Sequence, residues 1–238
     1  MRKPTAPCLA LAGLVLSAAG LRADILVKSE SSRVYMDTER KQTSELWLAQ
    51  GKSAQKTGKS LSIIRKDLDK WWTIDLGQKT YWEASIKDAQ PPSTPPKPDI
   101  HDLWLYYDPE YEWKVTDTGE TKDIDGRNCR RFDVEGIADF ASITATYWLA
   151  DAAGIPGAAA YRDHLVGQLA GDSDRGGLLK LLAANPNKVP LLREETVEHS
   201  IATVRRQTLR IVSIEEAAAP AGTYDLPAGL KKMANGGN

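Results

Sequence analysis

The stretch "GDSDRG", Gly171 to Gly176, holds the residues that most invite a chemical reading. Ser173, two residues after Gly171, could be a nucleophile on a tight turn. That turn needs a second glycine two residues beyond the serine and a strand before it. Arg175 stands at that position, and a helical pattern precedes it. Asp172 and Asp174 supply two carboxylates of a calcium loop but neither the third ligand nor the closing glutamate. A polar connection between two helices accounts for the composition. His164 lies one residue after Asp163, and a catalytic role needs a nucleophile that the sequence does not supply, so it reads as helix-surface or lid-lining. His101 and Asp102 beside Asp99 make a weak metal set on a loop without a fixed scaffold. The three histidines (His101, His164, His199) lie far apart, and no Cys-x-x-Cys occurs. Neither a metal nor a cofactor is expected.

Aromatic residues are concentrated where catalytic ones are not. "DKWWTIDLGQKTYWE", Asp69 to Glu83, crowds Trp71, Trp72, Tyr81 and Trp82 into two short runs around a glycine-containing turn. A three-residue turn at Gly77–Lys79 would put Trp72, Ile74 and Leu76 on one face with Thr80, Trp82 and Ala84. A two-residue turn would pair Ile74 with Tyr81 and Trp72 with Glu83. Segregation of the indoles favours the odd turn. All seven tryptophans fall between Trp47 and Trp148, and the chain has two phenylalanines. Tyr147 and Trp148 must point to opposite faces of their strand. These aromatics serve as core, each burying a large apolar area. Alternatively the sheet curves, helices cover its concave side in part, and Trp47, Trp72, Ile74, Trp82 and Trp148 line an apolar cavity for a lipid-like ligand.

The elements that would position these side chains are strands first. "ILVKSESSRVYM", "SELWLAQG", "SLSIIRK", "KWWTIDLG" and "TYWEASI" follow at roughly ten-residue spacing, the signature of an antiparallel meander. "QPPSTPPKPD", residues 90–99, is an extended linker or long loop that pairs poorly. The aromatic piece "LWLYYDPEYEW" and the strand-like runs "CRRFDVEG" and "SITATYWLA" come next, with "TDTGET" and "DIDG" marking hairpin turns. "GAAAYRDHLVGQLAG" places Tyr161, Leu165 and Leu169 at helical spacing, and "RGGLLKLLAAN" makes a second helix ended by Asn185-Pro186. "VPLLREETVEH" and "ATVRRQTLRIVSIEE" return to strands before the Pro/Gly-bounded tail "APAGTYDLPAGLKK". This order predicts an α+β fold with a largely antiparallel sheet. No βαβ alternation argues for a dinucleotide fold.

The N-terminus, "MRKPTAPCLALAGLVLSAAGLRAD", has a basic start and an apolar run from Cys8 to Ala19, too short to span a bilayer. Residues 1–23 read as a cleavable signal peptide, cut after Gly20 or Ala23. The expected product is a soluble, periplasmic protein, with residues 24–238 as a single domain. The chain carries 31 Lys+Arg against 32 Asp+Glu; three basic residues and no acidic one lie in 1–23, so the remainder has a formal charge of −4. Without a clustered basic face, nucleic acid is not an expected partner. Cys129 alone survives cleavage and is either buried and inert or paired with another chain. The buried reading comes first, as for most free cysteines.

The pattern of "KWWTIDLGQKTYWE", "DIDGRNCRRFDV", "TYWLADAAGIPG" and "YDLPAGLKK" resembles a family of uncharacterised exported bacterial proteins related in fold to the lipoprotein-localisation factors LolA and LolB. The resemblance spans roughly Ile25 to Lys232. It implies an incomplete β-barrel, a strongly curved antiparallel sheet whose open side is covered by helices, enclosing a cavity for acyl chains. Gly126 and Cys129 match the family's Gly-x-x-Cys, to which no chemistry attaches. The Pro-rich run and "LWLYYDPEYEW" depart from the pattern, and no arginine matches the one that holds the LolA lid, so lipoprotein shuttling does not carry over. The expected function is non-enzymatic binding of a hydrophobic or lipid-like ligand. The alternative is a cell-envelope interaction module that binds a protein partner through Trp104, Tyr106, Tyr107, Tyr111 and the Pro-rich loop. A hydrolase, with Ser173 and His164 converging, ranks third.

Overall fold

The computed structural model describes residues 23–35, 38–87, 110–139, 141–169, 175–199 and 203–233. The signal-peptide region 1–22, the Pro-rich stretch 90–99, His101, Asp102, Trp104, Tyr106, Tyr107 and the Ser173 turn lie outside the described residues.

Two antiparallel meanders form the sheet. The first contains β1 (Asp24–Tyr35), β2 (Thr38–Ala49), β3 (Lys52–Thr57), β4 (Ser60–Arg65), β5 (Lys70–Asp75) and β6 (Thr80–Ala84). The second contains β7 (Glu112–Ile124), β8 (Arg127–Ala138), β9 (Ala141–Asp151), β10 (Lys188–His199) and β11 (Thr203–Ala217). Helices α1 (Ala158–Leu169) and α2 (Gly176–Ala184) are inserted between β9 and β10. The meanders join where β1 pairs with β11, and β12 (Lys231–Lys232) adds a short parallel strand to β6. The described strands thus make one mixed sheet of twelve, ordered β12-β6-β5-β4-β3-β2-β1-β11-β10-β9-β8-β7. Its edges β12 and β7 do not pair, so the sheet curves without closing into a barrel. Extra residues at Val212 and Leu191 interrupt the ladders, the device by which strands bend.

Following partners across the ladders assigns the faces. Leu46 stands opposite Gln55, Gln55 opposite Ser62, Ser62 opposite Thr73, and Thr73 opposite Trp82. On the other side Val27 faces Leu46, and the same face continues through Arg33, Gln207, Glu195, Ala145 and Val134. The helices pack on this face. Tyr161 and Ala158 of α1 join Val27 and Ile211, while Leu178, Leu181 and Leu182 of α2 join Phe132, Val134, Tyr147 and Leu149. Leu165 touches both groups. Leu181 and Leu182 are fully buried, each stabilising by about 1.5–3 kcal/mol.

Helix α2 begins with two glycines for a packing reason. Trp113 on β7 lies against Gly136 and the start of α2, and a Cβ on Gly177 would come within 2.4 Å of its ring. At the other end Asn185 Nδ2 donates to Leu181 O (3.0 Å), and Pro186 cannot continue the helix. Arg162 Nη2 donates to Leu182 O (2.8 Å), tying α1 to α2.

On the opposite face the second meander buries Cys129, Trp148 and Ala150, and the first meander has a core of its own. Ala54, Ile63, Trp72 and Ile74 form its core, and Tyr224, Leu226 and Leu230 of the C-terminal tail cover them. The tail is pinned at three places: Ala219 N donates to Asp24 Oδ2 (3.2 Å), Arg65 Nη1 donates to Asp225 Oδ1 (2.9 Å), and Met233 N donates to Tyr81 O (2.8 Å).

Two sequence expectations are corrected. The tryptophan hairpin does not use the odd turn: four residues, Leu76–Lys79, connect the strands, with Ile74 opposite Tyr81 and Trp72 opposite Glu83. Asp75 Oδ1 accepts from the backbone N–H of Gly77 (2.8 Å) and Gln78 (2.9 Å), and Lys79 takes a left-handed conformation (φ 54°). That side-chain cap selects the longer loop and sends Trp72 and Trp82 to opposite faces. "TDTGET" is not a hairpin turn either. It is a bulge inside β7, where Thr118–Glu120 have only Arg131 across from them and Gly119 N donates to Asp117 Oδ1 (3.0 Å). The true turn is Asp125-Gly126 in "DIDG", both residues at positive φ.

Candidate functional site

Where the meanders join, the helix-covered face keeps an open groove of about 840 Å³ between β1, β2, β10, β11 and α1. One end is apolar, with Val27, Leu46, Leu209 and Ile211 on the strands and Tyr161 and Leu165 on the helix. The other end carries Arg33, Arg40, Arg193 and Arg205. Ser29, Ser31, Gln42 and Ser44 lie between them on the same face. Among the described residues, no Asp or Glu lies on the groove wall.

One carboxylate sits beneath the basic end. Glu195, with a side chain 3% exposed, pairs with Arg175 Nη1 (2.9 Å) and lies 3.8 Å from Arg193 and 3.9 Å from Arg205. Gln207 Nε2 donates to its other oxygen. A buried carboxylate without such partners would be strongly unfavourable, and the arrangement meets that need. It also leaves a positive excess, because one negative charge is shared by three guanidinium groups. The Nε–H donors of Arg193 and Arg205 are shielded from solvent and have no acceptor among the described residues.

His164 on α1 also lines the groove, and burial, followed by the charge of Lys66, lowers its pKa below the ordinary 6.5. Neutral at pH 7, it presents a ring rather than a charge. Cys129 is fully buried, and desolvation pushes its thiol up to about 11, which leaves it unreactive. Among the described residues no cluster of three or more His, Cys, Asp or Glu could hold a metal ion. No described helix is long and apolar enough to cross a membrane.

The five residues expected to line a cavity are not brought together. Trp47, Trp72 and Ile74 lie on the tail-covered face, where Trp72 Nε1 donates to Glu83 Oε2 (2.8 Å). Trp148 packs beside Cys129 and Ala150, with Lys122 Nζ 4.5 Å above its ring. Trp82 alone shares a face with the groove wall, several strands away and 40% exposed beside Trp71 at 39%. Tyr111 is half-buried, its ring centroid 5.1 Å from that of Trp113.

A second hollow, about 450 Å³, lies on the opposite face over Asp133, Glu194, Thr146 and Thr208. Its lining is mostly polar, and Arg131 there is already held by Asp133 (2.9 Å) and Glu120 (2.9 Å).

No protein-family model matches the chain, and no curated protein matches it in sequence. Solved structures match it only at low similarity. A LolA superfamily protein from Nitrosomonas europaea is 8% identical, with a TM-score of 0.33 over 86% of this chain and 90% of that one. A DUF1329 family protein from Desulfovibrio piger is 8% identical, with a TM-score of 0.32 over 89% of this chain and 93% of that one. PNGF-II is 7% identical with a TM-score of 0.33, and this chain spans only 30% of its length. Superpositions this loose leave ligand and activity to be argued from the groove.

Proposed function

We propose that this protein is a non-enzymatic, exported binding protein that holds a hydrophobic, lipid-like ligand in the groove between β1, β2, β11 and α1. The observation that carries the reading is the groove's apolar end, where strand and helix side chains leave a space of ligand size unfilled. In this reading α1 and α2 cover the open side of the incomplete barrel, and residues 1–23 direct the chain to the periplasm. Burial of an acyl tail against Val27, Leu46 and Tyr161 supplies affinity at about 25 cal/mol per Å² of apolar area. Of the five candidates expected to line a cavity, we assign packing roles to Trp47, Trp72, Ile74 and Trp148, and no ligand contact to Trp82, which stands several strands from the groove.

Native mass spectrometry of protein purified without detergent from its own compartment, followed by organic extraction, tests the reading. Co-purifying lipid should be lost in a Leu46→Glu, Leu209→Glu protein that keeps the wild-type circular dichroism spectrum. A clean unliganded mass that stays unchanged when fatty acids and neutral lipids are added would sink it. The second reading, an envelope interaction module, rests on Trp71 and Trp82 standing exposed side by side near Leu68, which is 48% exposed. A Trp71→Ser, Trp82→Ser protein that keeps its lipid but loses a cross-linked envelope partner would favour it.

A further inference from the structure

The groove changes chemistry in the same direction on three adjacent strands. Alternate residues of β1 run Val27, Ser29, Ser31, Arg33; those of β2 opposite them run Leu46, Ser44, Gln42, Arg40. On β11 the sequence is Ile211, Leu209, Gln207, Arg205. Each strand passes from aliphatic, through hydroxyl or amide in at least one position, to guanidinium. At about 3.3 Å per residue, six residues of β1 span roughly 20 Å, the scale of a long acyl chain.

We infer that the ligand is a single-headed anionic amphiphile, its tail under Tyr161 and Leu165 and its carboxylate or phosphate among Arg33, Arg40, Arg193 and Arg205. The inference rests on the lipid-binding reading and adds ligand charge and orientation to it. Three observations converge on it. Arg33 and Arg40 stand directly opposite each other, an arrangement that destabilises an antiparallel pair unless something neutralises it. Neither has an ion-pair partner among the described residues. The Nε–H groups of Arg193 and Arg205, buried and without an acceptor, are the kind of donors an anionic oxygen satisfies. Glu195 neutralises this end only in part, since its single charge is shared among Arg175, Arg193 and Arg205 and does not reach Arg33 or Arg40 as an ion pair. The polar hollow on the other face offers no such excess, because its carboxylates (Asp133, Glu135, Glu194 and Glu195) outnumber its arginines (Arg131 and Arg206).

The test is calorimetric titration of the delipidated protein with myristate, tetradecyl phosphate, tetradecanol and inorganic phosphate. The two anionic amphiphiles should bind at least about tenfold more tightly than the alcohol, the scale of one charge-assisted hydrogen bond. An Arg33→Gln, Arg40→Gln protein should lose about tenfold in affinity for them and stay within about twofold for tetradecanol. Both side chains are exposed, so folding is expected to survive, and a thermal melt checks it. Added salt should weaken the anions and spare the alcohol. Equal affinity for acid and alcohol, or no effect of the double substitution, overturns the inference while leaving lipid binding standing. Inorganic phosphate binding as tightly as tetradecyl phosphate overturns the amphiphile in favour of a free anion. Failure of every tailed ligand overturns both readings.

Discussion

In the β1–β6 half, Ala54, Ile63, Trp72 and Ile74 lie beneath the C-terminal tail, whereas in the β7–β11 half Phe132, Val134, Tyr147 and Leu149 lie beneath two helices on the other face. The two halves belong to one continuous sheet and show the same alternating pattern. What differs is the covering element. The tail contributes three large side chains and is fixed by pairs such as Arg65–Asp225 and by a two-residue strand. The helices bring a row of leucines and are anchored by side chains that reach the sheet, Lys180 Nζ to Trp113 O (2.9 Å) and Arg175 to Glu195 (2.9 Å). Between the halves neither cover is complete, and the groove lies on strands β1 and β11, where one regime gives way to the other. A binding space can thus arise from a change of buried face as readily as from barrel closure.

Breaking the tail-covered core should have the largest effect. Trp72→Ala should destabilise by about 3–5 kcal/mol in urea unfolding, as for other large aromatic truncations. Trp82→Ala, one strand away on the open face, should stay within about 0.5 kcal/mol. Equal losses would mean that the two indoles share an environment, against the assigned faces. The helix-covered half is probed by glycine. Gly177→Ala drives a Cβ into Trp113 and should cost about 1–3 kcal/mol by overpacking, despite the better helix propensity. Gly167→Ala in α1, with open space around it, should stabilise by about 0.4–1 kcal/mol.

A smaller effect concerns Glu83, which binds the tail to the sheet through Lys232 Nζ (2.9 Å), Trp72 and Lys70. These contacts pull its pKa from 4.5 to about 2. The unfolded chain therefore takes up this proton first on acidification, so the stability is present above about 4.5 and lost as pH falls through about 2. Glu83→Gln should cost about 1–2 kcal/mol at pH 7, a gap that closes across that window in pH-dependent unfolding. The smallest effect belongs to His164, whose folded pKa lies below 6.5. Its contribution is full above pH 6.5 and falls as pH drops below it. His164→Gln should flatten that slope by under about 1 kcal/mol.

Much of the fold was legible because β5, β9 and α2 announce themselves through period. "KWWTIDLG" and "SITATYWLA" alternate, and the leucines of "RGGLLKLLAAN" recur at helical spacing. β3, "KSAQKT", has no such signal; only Ala54 is apolar, and the strand exists because β2 and β4 hold it on both sides. The hairpin register depended on one carboxylate, Asp75, folding back on Gly77 and Gln78, which apolar segregation does not reveal. The groove escaped notice for a different reason. Trp47, Trp72 and Trp148 are core residues, while the sequence feature that marks the groove is the progression Val27-Ser29-Ser31-Arg33 at alternate positions, repeated in reverse on β2. Trp113 shows the converse: its glycine slot joins β8 and α2, residues far apart in sequence and brought together only by the sheet.

The pairing of Val27 with Ile214 has a consequence for how the molecule is made. The first strand must wait for the last long one, so the central ladder closes only after nearly the whole chain is present. Contacts of such sequence separation are slow to form. In a chain that emerges N-terminus first, β1 spends that interval with one side of its backbone unpaired. A holdase that shields extended edges would find its target there, and a circular permutant joining β11 to β1 should fold measurably faster.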